Sequence, residues 1–155
     1  SENNIHIVWQ DSRDINNEIY YKRSFAPINM IGTPSIGSQV TFKISDPNNP
    51  NSVYGSALSF GTNQGIPLGD GRALPLNNDG AFYYSVAYPQ QIGLSNTFGL
   101  LNNNGNGEFY WTIPNNPSII GVNISIAFIS VDASVSGFPD QINYISPPFT
   151  LAILP

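Results

Sequence analysis

The sequence has no cysteine, a single histidine and few charged side chains. Its 155 residues include 5 Lys and Arg and 10 Asp and Glu, so charged residues make up 10% of the chain, far below the ~25% of an average soluble domain. The absence of cysteine excludes a disulfide framework and a Cys-based zinc site. The shortage of charged helix-forming residues excludes a coiled coil or a helix bundle. A net charge of −5 argues against a nucleic-acid-binding surface, which needs clustered Lys and Arg.

Long apolar runs are also missing, and none approaches the roughly 18 residues of a transmembrane helix. The chain opens on the polar residues Ser1-Glu2-Asn3-Asn4, which do not form a signal peptide. It is therefore either cytosolic or a mature product or excised fragment. No Lys or Arg follows Arg72, so a trypsin-like protease has no site in more than half of the chain. The composition favours an extracellular or cell-surface location.

Glycine and proline are abundant, with 14 and 13 copies, and all of them follow residue 26. They separate seven to nine short β-rich runs, with turn signals about every 10 residues. Val40–Ile44 alternates cleanly, Ala81–Tyr88 is predicted as an aromatic strand, and Ile119–Val131 is the longest strand. The only helical window, Pro89–Leu94, is very short. The prediction is an all-β, antiparallel, immunoglobulin-like β-sandwich over residues 27–155.

Residues 1–26 differ from the rest and are predicted to form an N-terminal β arm or hairpin with a long polar loop. Apolar residues alternate with polar ones in two short runs. A lone two-stranded hairpin is marginal in water and cannot bury its own apolar face. Its apolar residues therefore need a cover: the same chain, a propeller that has been cut away, or a neighbouring subunit reached by strand pairing. The proposed assembly residues of this arm are Ile5, Ile7, Trp9, Ile19 and Tyr21.

The segment Gly65-Ile66-Pro67-Leu68-Gly69-Asp70-Gly71-Arg72-Ala73-Leu74-Pro75-Leu76 resembles a motif of C-terminal β-sandwich modules in secreted and surface bacterial proteins. The resemblance extends over residues 32–155, through the Pro114-Asn115-Asn116-Pro117 step and the Ile145-Ser146-Pro147 approach to the last strand. It implies a β-sandwich, a secreted or surface location and no catalytic activity.

Residues 5–24 resemble one repeat of a secreted, sialidase-like β-propeller. The resemblance rests on Val8-Trp9-Gln10-Asp11-Ser12-Arg13-Asp14 followed by Glu18-Ile19-Tyr20-Tyr21. Only one copy is present, and the sialidase Asp-box is absent. Sialidase activity needs several blades with converging arginines, so the resemblance does not imply that activity for this chain.

No set of residues predicts an enzyme. His6 is the only histidine and lies in an alternating run, where an exposed strand position is expected. A catalytic triad needs a base beside a nucleophile and a third group that orients it. The acidic residues fall mostly in predicted turns, where Asp caps backbone amides.

Two kinds of ligand site are nevertheless indicated. A structural calcium ion between loops would use Asp46, Asp70, Asp79 or Asp132, and no other cofactor is predicted. Exposed aromatic side chains stack on sugar rings, and the candidates are Tyr83, Tyr88 and Trp111, although such rings also fill sandwich cores. On a strand, Tyr83 would lie on the opposite face from Phe82 and Tyr84.

The sequence thus predicts a non-catalytic extracellular structural or interaction protein. Its predicted partner is a second copy, reached by strand exchange through residues 3–10 and leading to a surface assembly or filament. The alternative is a carbohydrate-binding or adhesion module appended to a propeller protein. A third reading is an inert C-terminal anchoring or sorting domain.

Overall fold

The structure is a computed structural model that describes the backbone of residues 5–11 and 18–24, and the backbone and side chains of residues 26–155. The strands are β1 (Ile5–Asp11), β2 (Glu18–Ser24), β3 (Ile28–Ile31), β4 (Gln39–Ser45), β5 (Val53–Ser59), β6 (Ile66–Pro67), β7 (Ala73–Leu74), β8 (Leu94–Ser95), β9 (Phe98–Leu100), β10 (Asn106–Thr112), β11 (Asn123–Val131), β12 (Ile142–Ile145) and β13 (Phe149–Ala152). One α-helix, α1 (Gly80–Ala87), and two 3₁₀ turns, Pro89–Ile92 and Pro117–Ile119, complete the described elements. None of these helical segments is long enough to cross a bilayer.

The N-terminal hairpin is formed by β1 and β2, which pair antiparallel from Ile5 opposite Ser24 to Asp11 opposite Glu18. This pairing confirms the predicted hairpin. The two strands make a sheet of their own and pair with no other strand in the described part of the chain. The side chains of the five predicted arm residues, and of His6, lie outside the described residues.

Two larger antiparallel sheets make up the body. The first has four strands in the order β3-β4-β10-β8. The second has five, in the order β12-β11-β5-β9, and β13 also pairs with β11 beside β12. A small hairpin, β6–β7, pairs with neither sheet. The all-β antiparallel class predicted from the sequence is confirmed.

One apolar core joins the two sheets, and it follows from period-two alternation in their strands. In β4 the buried residues Val40, Phe42 and Ile44 alternate with more exposed ones. Phe42 stacks on Phe109 of β10 with ring centroids 4.8 Å apart. The second sheet contributes buried residues that include Ile126. Each such side chain contributes about 1.5–3 kcal/mol relative to an exposed one.

Strand β11 is buried on both faces. Ile124, Ile126 and Phe128 face the shared core, whereas the small residue Ala127 packs in a second cluster with Ala57 and Leu76. Phe82 of α1 and Leu74 of β7 cover this cluster from outside. Small side chains on the outer face of β5 and β11 therefore leave room for α1 and the β6–β7 hairpin.

The predicted strand Ala81–Tyr88 is wrong, because Gly80–Ala87 form α1. Its aromatic composition favours a strand, but Asp79 caps the helix: its carboxylate accepts a hydrogen bond from the Phe82 amide, at 3.0 Å. The buried Ser85 hydroxyl accepts a bond from the Leu58 amide, at 3.0 Å, and ties the helix to β5. The 3₁₀ turn Pro89–Ile92 lies within the short helical window predicted nearby.

Candidate functional site

Strand β9 lies at one edge of the five-stranded sheet and carries two of the most exposed apolar side chains in the body. Phe98 is 72% exposed and Leu100 is 70% exposed. Gly99 between them faces inward, where a Cβ would lie 2.9 Å from the Tyr54 hydroxyl oxygen. This close approach holds the alternation in register, so Phe98 and Leu100 face outward together.

The backbone of β9 leaves its outer edge free. The Ser56 amide donates to the Thr97 carbonyl at 2.8 Å, and the Leu101 amide donates to the Ser52 carbonyl at 2.9 Å. Because hydrogen-bonding direction alternates along an antiparallel strand, the polar backbone groups of Phe98 and Leu100 point away from β5. They form an unpaired edge of the kind that accepts another strand.

Neither β9 nor the sequence that flanks it carries a charged side chain. Natural sheets usually block their edges with Lys, Pro, bulges or covering segments. Between Asp79 and Glu108 the sequence contains no charged residue. Strand β9 lies within this uncharged stretch, and the strand itself contains no proline.

The two exposed residues of β9 extend a continuous apolar strip across the outer face of the sheet. Leu100 lies opposite Val53, which lies opposite Val131. Phe98 lies opposite Gly55, and Gly55 lies opposite Ile129. We call Val53, Phe98, Leu100, Ile129 and Val131 the outer apolar strip.

The strip is distinctive because the other sheet has a polar outer face. There, Lys43 lies opposite Glu108 and Thr41 lies opposite Tyr110. The Tyr110 hydroxyl donates to the Glu108 carboxylate, a bond that raises the pKa of Tyr110.

At one end of the outer apolar strip, Val53, Leu100 and Val131 border an open recess of about 270 Å³. Grouped apolar side chains with an exposed edge make the outer apolar strip a candidate interaction site.

A second candidate is a cluster of three exposed tyrosines on α1 and its C-cap. The ring centroids of Tyr83 and Tyr88 are 5.8 Å apart, and Tyr84 lies 5.7 Å from Tyr83 and 6.1 Å from Tyr88. The hydrogen bond between Tyr83 and Tyr88 is the main cause of a raised pKa at Tyr83. We call these three residues the tyrosine cluster.

The sequence placed Tyr83 and Tyr88 among the stacking candidates but did not group Tyr84 with them. Strand alternation put Tyr84 on the opposite face from Tyr83, whereas on the helix the two rings meet edge to face. The signal that could have grouped them is the capping residue Asp79 before Gly80, which marks a helix start.

Trp111 cannot be a ligand-stacking residue. It is 4% exposed and its indole N–H donates to the Ile92 carbonyl at 2.9 Å. Its position in β10 faces inward because Phe109, two residues earlier, is also a core residue. A buried Trp with a satisfied N–H is a core residue rather than a binding surface.

The four aspartates predicted as calcium ligands each have hydrogen-bond partners of their own. Asp46 is buried and accepts bonds from the Ser130 hydroxyl at 2.5 Å and the Asn49 side-chain amide at 2.8 Å. Asp79 caps α1 and also accepts from the Phe60 amide at 2.8 Å.

The other two aspartates serve local turns. Hydrogen bonds from the Arg72 backbone amide hold the pKa of Asp70 below its usual value, and the Arg72 side chain adds to this effect. Hydrogen bonds from Ser134, chiefly from its hydroxyl, lower the pKa of Asp132. Within residues 26–155, no three acidic or histidine side chains gather into a metal-binding group.

Comparisons of this chain with protein-family models, with curated proteins and with solved structures find no match. The two resemblances drawn from the sequence therefore stay predictions.

Proposed function

We propose that this chain is a non-catalytic extracellular structural protein that associates with copies of itself through its N-terminal arm, residues 1–26. The observation that carries the proposal is the isolation of the β1–β2 hairpin, which pairs with no other described strand. Because a two-stranded hairpin is marginal by itself, pairing with a neighbour stabilises it. The apolar alternation of Ile5, Ile7 and Trp9 provides the surface for such an association.

The fold within this proposal is an immunoglobulin-like sandwich with an appended arm. Its strand order supports this assignment. The sequence of strands β3-β4-β10-β8 matches the A-B-E-D order of an immunoglobulin sheet, and β5, β11 and the β12–β13 edge match C-F-G. The buried Trp111 on β10 departs from that pattern, since immunoglobulin domains carry their Trp on strand C.

The arm acts as a hairpin rather than as a single donated strand. All seven residues of β1 are paired with β2, so donation of β1 alone would first break that ladder. Addition of the intact hairpin to another sheet edge keeps the ladder and adds new backbone hydrogen bonds. This refines the strand exchange predicted from residues 3–10.

The direct test is deletion of residues 1–24, with removal of residues 1–4 alone as the matched control. We expect the full chain and the short deletion to assemble, as seen by light scattering and electron microscopy. The longer deletion should stay monomeric, with the near-ultraviolet circular dichroism of a folded body. Equal assembly of the full chain and the longer deletion, or assembly of neither, would contradict the proposal.

The alternative function is glycan binding by the tyrosine cluster, which the mutual contact of three exposed rings favours. Tyrosine faces stack on sugar rings, and their hydroxyls offer hydrogen bonds to the sugar. A glycan array probed with the wild type, Tyr83→Ala and Tyr88→Ala tests it, with Phe138→Ala as an exposed aromatic control. Binding that only the two tyrosine variants lose would support this function, and absence of binding by the wild type would exclude it.

A further inference from the structure

We infer that the strand receiving the N-terminal hairpin is β9 of a second copy, whose free edge pairs with the free edge of β1. The inference rests on the proposed self-association and adds the acceptor to it. It follows from three features of the described chain: the protection of other edges, the lack of charge on residues 5–10 of β1 and on β9, and the outer apolar strip.

Two of the competing edges are already occupied. The Gln141 carbonyl turns toward β11 and accepts from the Asp132 amide, so the next carbonyl, of Ile142, lies on the outer edge of β12. The Arg72 guanidinium donates to that carbonyl at 2.6 Å and to the Pro139 carbonyl at 3.1 Å. Arg72 therefore blocks β12 as an acceptor.

The β13 edge is covered at its C-terminal end. The Leu154 amide donates to the Pro34 carbonyl at 2.8 Å, and the Ile36 amide donates to the Leu154 carbonyl at 3.1 Å. In the other sheet, β8 has two residues, too few to hold an added strand. Strand β3 keeps a free edge with Ile31 49% exposed, and it is the competitor that an experiment must separate from β9.

Charge selects β1 rather than β2 as the donor. Residues 5–10, Ile-His-Ile-Val-Trp-Gln, include no Asp, Glu, Lys or Arg, whereas β2 carries Glu18, Lys22 and Arg23. Charged side chains on an edge disfavour pairing with another sheet. Residues 5–10 of β1, which precede the charged Asp11 at its end, therefore complement the uncharged β9.

The outer apolar strip supplies the side-chain contacts. A strand added beside β9 extends the sheet, and its alternate residues continue the row begun by Phe98 and Leu100. The apolar residues of β1 recur at that spacing in the sequence. Strand addition thus provides backbone hydrogen bonds and burial of apolar surface together.

The contact is head to tail, because different surfaces of the two copies meet. Repeated head-to-tail contacts give a filament unless the rotation between copies closes a ring. The inference therefore specifies a polar assembly whose two ends differ, one with a free β1 edge and one with a free β9 edge.

A lysine placed on the acceptor edge tests the inference. We expect Leu100→Lys in the full chain to reduce the assembled fraction by about tenfold or more, because a charge on an edge strand opposes pairing. Because the Leu100 side chain is largely exposed, the substitution should leave the melting temperature of the body, residues 26–155, unchanged. The matched controls are Ile31→Lys on the competing edge and Val86→Lys on α1, where the native residue is 59% exposed; both should assemble normally.

The outcomes separate the acceptor from the proposed function. Normal assembly of Leu100→Lys, while deletion of residues 1–24 still abolishes assembly, would overturn β9 as the acceptor and leave arm-driven association intact. Equal loss in Ile31→Lys would also overturn the choice of β9. A full chain that stays monomeric would overturn both.

Cross-linking gives a second readout that does not depend on losing assembly. Because the chain has no cysteine, Leu100→Cys protein can be mixed with Ile5→Cys, Ile7→Cys or Trp9→Cys protein and oxidised. A disulfide needs Cα atoms about 4.4–6.8 Å apart, so one partner of the panel should form a mixed disulfide detected by peptide mass mapping. In the control experiment, Ile31→Cys protein is mixed with the same β1 variants in place of Leu100→Cys protein. A mixed disulfide that forms with Ile31→Cys but not with Leu100→Cys would contradict the inference.

Discussion

At the scale of single residues, Tyr54 links the core to the candidate edge. Its ring lies against Gly99 of β9, and its hydroxyl lies 2.9 Å from the Glu108 carbonyl and 3.1 Å from the Asn96 carbonyl. Two carbonyl acceptors face a single hydroxyl proton, so this site accommodates only the neutral phenol. Burial, and to a lesser extent Glu108 and Tyr110, raise the pKa of Tyr54.

This raised pKa predicts a loss of stability at alkaline pH. The unfolded tyrosine titrates near pH 10, and the folded protein binds its proton more tightly. The stabilisation is therefore complete below about pH 10 and is lost as the pH rises through the folded value. Urea unfolding at pH 8, 10 and 11.5 should show the free energy of unfolding falling across this range.

Tyr54→Phe provides the control, since it removes the titrating hydroxyl. We expect the variant's free energy of unfolding at pH 8 to be about 1 kcal/mol lower than that of the wild type, because one hydrogen bond is lost. Above pH 10 the variant's free energy of unfolding should fall less steeply than that of the wild type. Burial also raises the pKa of Tyr144, so the variant should still lose some stability as the pH rises above 10. Identical alkaline slopes for the variant and the wild type would contradict the role assigned to Tyr54.

At the scale of elements, α1 shows how one capping residue decides a local structure. Asp79 accepts from the Phe82 amide within the helix and from the Phe60 amide beyond β5. The helix then packs on β5 and presents the tyrosine cluster to solvent. Residues 81–88 on a strand would have split the three rings between two faces.

Asp79→Ala is expected to lower the free energy of unfolding by about 1–2 kcal/mol, the usual cost of a lost N-cap. Asp140→Ala is the matched control, because the exposed Asp140 side chain makes no hydrogen bond to the described residues. Chemical denaturation measures both variants, and tyrosine fluorescence reports on the cluster. A cost below about 0.5 kcal/mol for Asp79→Ala would show that packing on β5, rather than the cap, holds the helix.

Several elements were predictable from the sequence and α1 was not. Strands β4, β10 and β11 follow from alternation or β-branched runs between clear turns, and the β6–β7 hairpin follows from Gly69-Asp70-Gly71. For Ala81–Tyr88, intrinsic strand preference and helix capping point in opposite directions, and burial of Ser85 against Leu58 decides between them. The exposed edge at β9 was not predicted, since strand order within a sheet depends on contacts between distant residues.

At the scale of the whole molecule, the chain combines a body with two large sheets and a hairpin that pairs with no other strand among the residues that the structure describes. The body buries its own core, but Phe98 and Leu100 on the β9 edge stay exposed, and the rest of the outer apolar strip is only partly buried. In the proposed assembly the β1 edge of each copy pairs with the β9 edge of the next. Association therefore stabilises the folded chain by mass action, as any ligand of the folded state does.

The melting temperature of the full chain should consequently rise with protein concentration. The deletion of residues 1–24 should melt at a temperature that does not depend on concentration, because it lacks the donor strand. Scanning calorimetry over a hundredfold concentration range measures both. Parallel behaviour of the two proteins would argue against stabilisation through the arm.

The sequence by itself determined the β class, the hairpin and the exclusion of disulfides and Cys-based zinc, because alternation and composition act through neighbouring residues. Tertiary structure alone decided that Trp111 is buried, that the tyrosines cluster on a helix and that the candidate calcium ligands have hydrogen-bond partners of their own. It also decided that β9 is an open edge while Arg72 closes β12. These outcomes depend on which strands become neighbours, and that choice is made by packing between residues far apart in the chain.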